Sequence, residues 1–141
     1  MVFCIDERIQ STCFTLGEWP LSQVLLKNEA AYPWFILVPR KANIQEIFQL
    51  EKDERNTLME EINYLSLLIN DYFKPDKLNI GALGNVVPQL HVHIVARFQN
   101  DILWPQSIWH SSVEPSTYNE VHLKSLLPAL GDLVRRIKIF G

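Results

Sequence analysis

Residues 78–97 read "LNIGALGNVVPQLHVHIVAR", and the second half of this stretch has the alternation of a β-strand. Side chains alternate between the two faces of a strand. One face would carry Leu90, Val92, Ile94 and Ala96, and the other would carry Gln89, His91, His93, Val95 and Arg97. We expect the aliphatic face to pack against a helix and the polar face to lie on the open side of a sheet. The preceding "KLNIGALGN" (77–85) predicts a partner strand that ends in a glycine-bearing turn.

Other segments predict the rest of the architecture. Three β-leaning pieces lie upstream, "TCFTLGEW" (12–19), "LSQVLLKN" (21–28) and "WFILVPR" (34–40). A helix is predicted over 46–73, where apolar residues recur at helical spacing at Leu58, Ile62, Leu65, Ile69 and Tyr72. A second helix is predicted over 119–136, after a loop that contains Trp104 and Trp109. This order predicts one α+β domain over 1–141 with an antiparallel sheet.

The composition narrows the functional classes. The chain has 141 residues, of which 48% are hydrophobic and 21% charged, as in a globular domain. Its formal net charge of −3 provides no basic field for duplex nucleic acid. Cys4 and Cys13 lie outside any Cys-x-x-Cys pattern, so we expect free thiols. We see no leader and no membrane-length apolar run, and therefore expect a cytoplasmic protein with no membrane partner.

The two histidines of the strand suggest phosphoryl chemistry. Their Cα atoms would lie about 6.5–7 Å apart, so both rings could reach one phosphate group. Imidazole is a good nucleophile when one ring nitrogen is free and the other donates to a carbonyl. His91 could then attack phosphorus, while His93 neutralises phosphate charge or assists the leaving group.

Two simpler interpretations stay open at this point. His91 and His93 could be ordinary residues of a sheet face. They could also be two ligands of a metal site, which would need a third ligand from His110, His122 or a carboxylate.

The longer stretch 78–97 resembles the signature of the histidine-triad (HIT) family of nucleotide hydrolases and transferases. That signature has an Asn-x-Gly turn, a Gly-Gln pair followed by Ser/Thr-Val, and His-x-His-x-His. The match places Asn79 and Gly81 on the turn, Gly84 and Asn85 on the Gly-Gln pair, and Gln89, His91 and His93 on the triad. Upstream, "YPWFILVPRK" (32–41) is similar to the family's Gly-His-x-Leu-Val-x-Pro-Lys strand.

The resemblance implies a fold and an activity. The fold would be a five-stranded antiparallel sheet with a long helix and a C-terminal helix, assembled as a homodimer. A nucleoside monophosphate would bind at the sheet face, and His91 would carry the nucleotidyl group covalently. Substrates would be nucleoside phosphoramidates, dinucleoside polyphosphates or related nucleotide conjugates. Neither a metal nor an organic cofactor would be required.

The same match assigns candidate site residues. The catalytic set would be His91, His93 and Gln89. The nucleotide-binding set would be Asn28 for the ribose, Asn79, Gly84 and Asn85 around the turn, and Arg97 for phosphate charge. Trp104 and Trp109 could cover the nucleotide, pack across a dimer or simply pack the loop on the sheet.

Several positions depart from the family pattern. Gln89 stands where the first triad histidine is expected, Trp34 replaces an upstream histidine, and Val86 replaces a Ser or Thr. Glutamine can donate and accept hydrogen bonds but cannot carry a proton charge. The carbonyl of residue 89 would still hold the nucleophile's ring. Besides the covalent enzyme, two hypotheses therefore remain: a nucleotide-binding module with little or no catalysis, and a metal-dependent hydrolase on the His-x-His strand.

Overall fold

A computed structural model describes residues 2–110 and 114–139 and contains one five-stranded sheet in this part of the chain. The strands are β1 Cys13–Glu18, β2 Ser22–Lys27, β3 Trp34–Pro39, β4 Lys77–Gly81 and β5 Val92–Arg97. The α-helices are α1 Glu7–Gln10, α2 Lys52–Phe73 and α3 Glu120–Arg136, with short 3-10 helices at Ile47–Gln49 and Ile108–His110. The spatial order is β1-β2-β3-β5-β4, and every neighbouring pair is antiparallel. The predicted α+β sheet with two main helices is confirmed.

Strand β5 lies inside the sheet, between β3 and β4. His93 is paired with Ile36 on one side and with Gly81 on the other. The strand begins at Val92, later than the predicted start at Gln89. Leu90, just before the strand, also has a backbone hydrogen bond, because its amide donates to the Ile44 carbonyl at 2.9 Å.

The aliphatic face of β5 packs under α2, as predicted. Val92, Ile94 and Ala96 belong to a core cluster that also contains Leu65 of α2 and Leu130 of α3. The predicted stripe on α2 is wrong at its last position, because Tyr72 is 43% exposed.

An acidic residue of α2 is buried instead. The Glu61 carboxylate is fully buried and accepts the backbone N–H groups of Leu21 and Ser22 at 2.8 and 3.3 Å. Burial raises the pKa of Glu61. A carboxylate thus joins α2 to the turn before β2, which a search for apolar periodicity cannot detect.

The opposite face of the sheet was expected to be open, and this expectation is wrong. Ile9 of the N-terminal segment, residues 2–11, packs on Leu25, Ile36 and Val38. Ile108 of the loop after β5 packs against Val95. As a result His91, His93 and Arg97 are only 7%, 8% and 1% exposed. Alternation identifies a face but not the loops that fold back over it.

Arg97 is the most deeply buried charge on this face. Its Nε donates to Asp101 Oδ2 at 2.8 Å, a second nitrogen donates to Asp101 Oδ1 at 3.1 Å, and a third donates to Asn79 Oδ1 at 2.9 Å. Burial by itself would raise the pKa of Asp101, but hydrogen bonds from Arg97 and from backbone amides outweigh it, so the pKa is lowered. The guanidinium anchors the loop after β5 to the sheet.

Replacing Arg97 should destabilise the fold strongly. Arg97→Met leaves the Asp101 carboxylate buried without its countercharge, so we expect the free energy of unfolding to fall by about 3–5 kcal/mol in urea titrations. Arg136→Met is a matched control, because Arg136 forms an Arg–Asp pair with Asp132 that is 74% and 46% exposed. That variant should change stability by about 0–1 kcal/mol. Equal effects of the two substitutions would contradict the anchoring role.

Candidate active site

The two histidines meet at a cleft beside the turn that follows β4. The cleft has a volume of about 310 Å³. Its lining consists of Leu83, Gly84, Asn85, Val86, Val87, His91, His93 and Trp109. A neighbouring pocket of about 170 Å³ shares His91 and Gly84 with it and is bordered by the 3-10 helix at Ile47–Gln49. A larger groove of about 460 Å³ between α2 and α3 shares no residue with the cleft. The histidine cleft is the candidate active site, because it is the cleft that two imidazole rings line.

His91 is held in one tautomer by the main chain. Its Nδ1 lies 2.7 Å from the carbonyl oxygen of Gln89. A carbonyl only accepts hydrogen bonds, so Nδ1 carries the proton and Nε2 keeps its lone pair. The ring therefore has the form that a nucleophile requires.

His93 is held in the opposite tautomer. The indole Nε1 of Trp34 lies 2.9 Å from His93 Nδ1. An indole N–H only donates, so Nδ1 accepts and the ring proton is on Nε2. Burial, then the nearby His91 and Lys27, lower the pKa of His93 to about 3. His93 is consequently a neutral ring that can donate a hydrogen bond.

The two rings are close enough to act on one group. Their centroids lie 4.8 Å apart, and the planes are nearly perpendicular at 71°. A lone pair on His91 and an N–H on His93 thus border the same cleft. This arrangement can attack a phosphorus atom and stabilise charge on its oxygens.

Gln89 uses its side chain to hold the N-terminal segment. Its Oε1 accepts from the Asp6 amide at 2.9 Å, and its Nε2 donates to the Cys4 carbonyl at 2.8 Å. Arg8 pairs with Asp6 and donates to the Val86 carbonyl at 3.0 Å, which extends the link to the turn. Hydrogen bonds from Arg8 lower the pKa of Asp6 to about 2, with a smaller effect from His91. These contacts fasten the N-terminal segment to the strand that carries the histidines and to the turn that lines the cleft.

The predicted nucleotide-binding residues divide into two groups. Gly84 and Asn85 line the cleft, and Gly84 has φ +67°, a conformation that favours glycine. Asn28, Asn79 and Arg97 do not line it. Asn28 Oδ1 accepts from the Tyr118 amide at 3.0 Å, and Asn79 and Arg97 bond to one another. Their polar groups serve contacts within the protein.

The loop tryptophans have different surroundings. Trp109 packs on His93 with ring centroids 5.6 Å apart and contacts the open side of Gly81. Trp104 lies over the Arg97 guanidinium at 5.8 Å. Trp109 was a candidate cover for the nucleotide, and it does border the cleft.

The sequence shows Trp34 only as a replacement of the family's upstream histidine. Its hydrogen bond to His93 depends on the register of β3 and β5, which the sequence does not reveal.

The metal hypothesis would need a third ligand near the two histidines. Among the described side chains, no three His, Cys, Asp or Glu residues lie together as metal ligands would. His122 is on α3 and packs against Tyr118, with centroids 5.4 Å apart. The side chain of His110 lies outside the described part of the structure.

Comparison with known proteins identifies the family. The HIT domain family matches residues 8–100 of the chain. This chain is a HIT protein. The triad positions Gln89, His91 and His93 lie inside the matched range. HIT-domain proteins form a superfamily of nucleotide hydrolases and transferases.

Solved structures of HIT proteins are similar over nearly the whole chain. A histidine triad protein from Marinobacter aquaeolei is 38% identical, with a TM-score of 0.92 over 98% of this chain and 100% of that one. One from Bradyrhizobium japonicum is 37% identical, with a TM-score of 0.90 over 95% and 99%. One from Sinorhizobium meliloti is 34% identical, with a TM-score of 0.87 over 92% and 96%. A comparison with curated proteins found no match.

None of the described helices of this HIT protein is both long enough and apolar enough to cross a bilayer.

Removing the Gln89 side chain should loosen the N-terminal segment. In Gln89→Ala the Asp6 amide loses its acceptor, so its hydrogen exchange should accelerate by about tenfold, the equivalent of one ordinary hydrogen bond. Gln99→Ala, on an exposed glutamine after β5, should leave that exchange rate unchanged. Unaltered exchange of Asp6 in Gln89→Ala would contradict the proposed link.

Proposed function

We propose that this HIT protein is a nucleotidyl hydrolase or transferase that works through a covalent nucleotidyl group on His91. The observation that carries the proposal is the 2.7 Å contact between His91 Nδ1 and the Gln89 carbonyl, which leaves Nε2 as the free nitrogen. The main-chain oxygen makes this contact, so glutamine at position 89 does not disturb it. Substrates would be nucleoside phosphoramidates, dinucleoside polyphosphates or related conjugates.

The chemistry has two steps. The His91 Nε2 lone pair forms a bond to phosphorus, and the bond to the leaving group breaks with its electron pair going to the leaving atom. The resulting positive imidazole is stabilised because Nδ1–H donates to the Gln89 carbonyl. Water or another acceptor then attacks phosphorus, loses its proton to solvent, and returns the electron pair to Nε2.

The surroundings of the cleft support a phosphate ligand. His93 presents an N–H beside the nucleophile, and the turn at Gly84 and Asn85 also lines the cleft. The cleft volume of about 310 Å³ falls within the usual range for small-ligand sites. No cofactor enters these steps. A homodimer, and nucleotide contacts by Asn28, Asn79 or Arg97, stay predictions from the family resemblance.

A binding module with little catalysis is the second candidate. Val86, which is 76% exposed, stands where the family pattern has a Ser or Thr hydroxyl. The oxygen and the nitrogen of the Gln89 side-chain amide are both hydrogen-bonded to the N-terminal segment. The cleft therefore has fewer polar side-chain groups available to stabilise a transition state. Such a cleft could bind a nucleotide without turning it over.

The His91→Ala variant separates the two candidates. With a diadenosine polyphosphate as substrate, we expect turnover in the unmodified protein and a loss of at least about 10³-fold in the variant, because the nucleophile is gone. His122→Ala, on an exposed face of α3, should retain full activity. Binding without turnover in the unmodified protein would favour the module. Activity that a chelator abolishes and metal restores would favour the metal-dependent hydrolase.

His93 should contribute no protonation to the pH dependence of activity above about pH 4. The pKa of His93 is already lowered to about 3, so this ring stays neutral above about pH 4. Because His93 gains no charge in this range, we expect the acid side of the log(kcat/KM) profile to be no steeper than a slope of one down to pH 5. A slope of two would show that His93 also titrates and would contradict its assigned state.

A further inference from the structure

The indole of Trp34 is the only described group that hydrogen-bonds to the ring of His93. Trp34 opens β3 and is paired with Val95 of β5, which brings its side chain beside His93. The Lys27 ammonium lies 5.1 Å from the Trp34 ring centroid, on the neighbouring strand. Lys27 also donates to Thr12 Oγ1 at 3.3 Å. The Trp34 indole therefore contacts Lys27 through its ring face and His93 through its N–H, which is directed at Nδ1.

We propose that Trp34 is a positioning residue for nucleotidyl transfer: its N–H reserves Nδ1 of His93 and so presents Nε2–H as a fixed, neutral donor to the phosphoryl oxygens. This inference rests on the proposed function. It assigns a task to the position where the family's upstream histidine is replaced. Trp34 acts through His93 and needs no contact with the nucleotide.

The second tryptophan on His93 provides an internal comparison. Trp109 packs on the same ring at 5.6 Å, but its Nε1 is buried and has no hydrogen-bond partner among the described residues. Trp109 can exclude water from His93 but does not determine which ring nitrogen of His93 carries the proton. Trp34 does determine it, because the indole N–H would clash with a proton on Nδ1 of His93.

A fixed neutral donor has a chemical consequence. When His91 attacks phosphorus, charge builds on the non-bridging oxygens, and His93 Nε2–H can stabilise it by hydrogen bonding. His93 does not release that proton, since a neutral imidazole would become an imidazolate. The leaving group therefore departs with the bonding electron pair and takes no proton from His93. This favours leaving groups that are stable as anions, such as the phosphate end of a dinucleoside polyphosphate.

Ring-nitrogen NMR tests the role of Trp34 directly. In protein with ¹⁵N-labelled histidine, we expect His93 to show protonated Nε2 and unprotonated Nδ1 from pH 8 to pH 5. In Trp34→Phe, which keeps an aromatic ring without the N–H, we expect a mixture of the two neutral tautomers over the same pH range, because burial, His91 and Lys27 still oppose a charge on the ring. The charged or titratable groups that face His93 are His91 and Lys27, and both are unchanged in this variant. Trp109→Phe is the matched control and should leave the His93 signals in the unmodified form.

Kinetics with diadenosine tetraphosphate provide a second measurement. We expect kcat of Trp34→Phe to fall by about tenfold, the equivalent of one hydrogen bond, with KM nearly unchanged. The proposal is overturned if His93 carries its proton on Nδ1 in the unmodified protein, or if Trp34→Phe leaves the His93 signals as they were. If the unmodified protein shows no turnover, the proposed function fails, and the NMR spectra still decide whether Trp34 fixes His93.

Discussion

Strand β5 lies in the interior of the sheet with both faces covered, and the polar groups on one of its faces must therefore find partners inside the protein. A buried polar group without a hydrogen bond costs several kcal/mol, about 2–7 by transfer measurements. His91, His93 and Arg97 meet this requirement in three ways, with a main-chain carbonyl, an indole N–H and a carboxylate. Each partner can only accept or only donate, so each determines where the protons of its neighbour are.

The consequence for the site is that two chemically identical side chains become different reagents. His91 faces an acceptor and keeps a lone pair on its outer nitrogen, whereas His93 faces a donor and keeps a proton there. Burial, and then the nearby His91 and Lys27, lower the pKa of His93, so the ring that faces the donor is also neutral. No carboxylate is needed to orient either ring. This division of roles follows from packing, before any substrate enters.

Sequence patterns predicted the sheet and the position of the histidines well, because both depend on short-range periodicity and on motif spacing. The covering of the polar face was missed, because it depends on contacts between distant segments. Gln89 reaches Cys4 and Asp6 across more than eighty residues. Trp34 reaches His93 across 59 residues. Gln89 and Trp34 both stand where the family pattern has histidine, and the sequence shows only that replacement. The hydrogen-bond partner of each side chain is visible only in the folded structure.

Arg97 illustrates the same limit in another way. A strand-end arginine beside two histidines suggests a phosphate ligand, and its partner Asp101 is only four residues away. Nothing in that spacing indicates that the loop folds under Trp104 and buries the pair. The burial of the Arg97–Asp101 pair is a property of the assembled layers and cannot be found from the spacing of the two residues.

The contacts of Gln89 also bear on how the protein is made. Cys4 and Asp6 are synthesised long before Gln89, their partner. At about 5–20 residues per second, the interval is roughly 4–17 s. The packing partners of Ile9 on β2 and β3 are made within this interval, whereas the hydrogen bonds to Gln89 can form only at its end. The N-terminal segment is therefore fastened beside the histidine strand only after strands β1 to β4 have been synthesised.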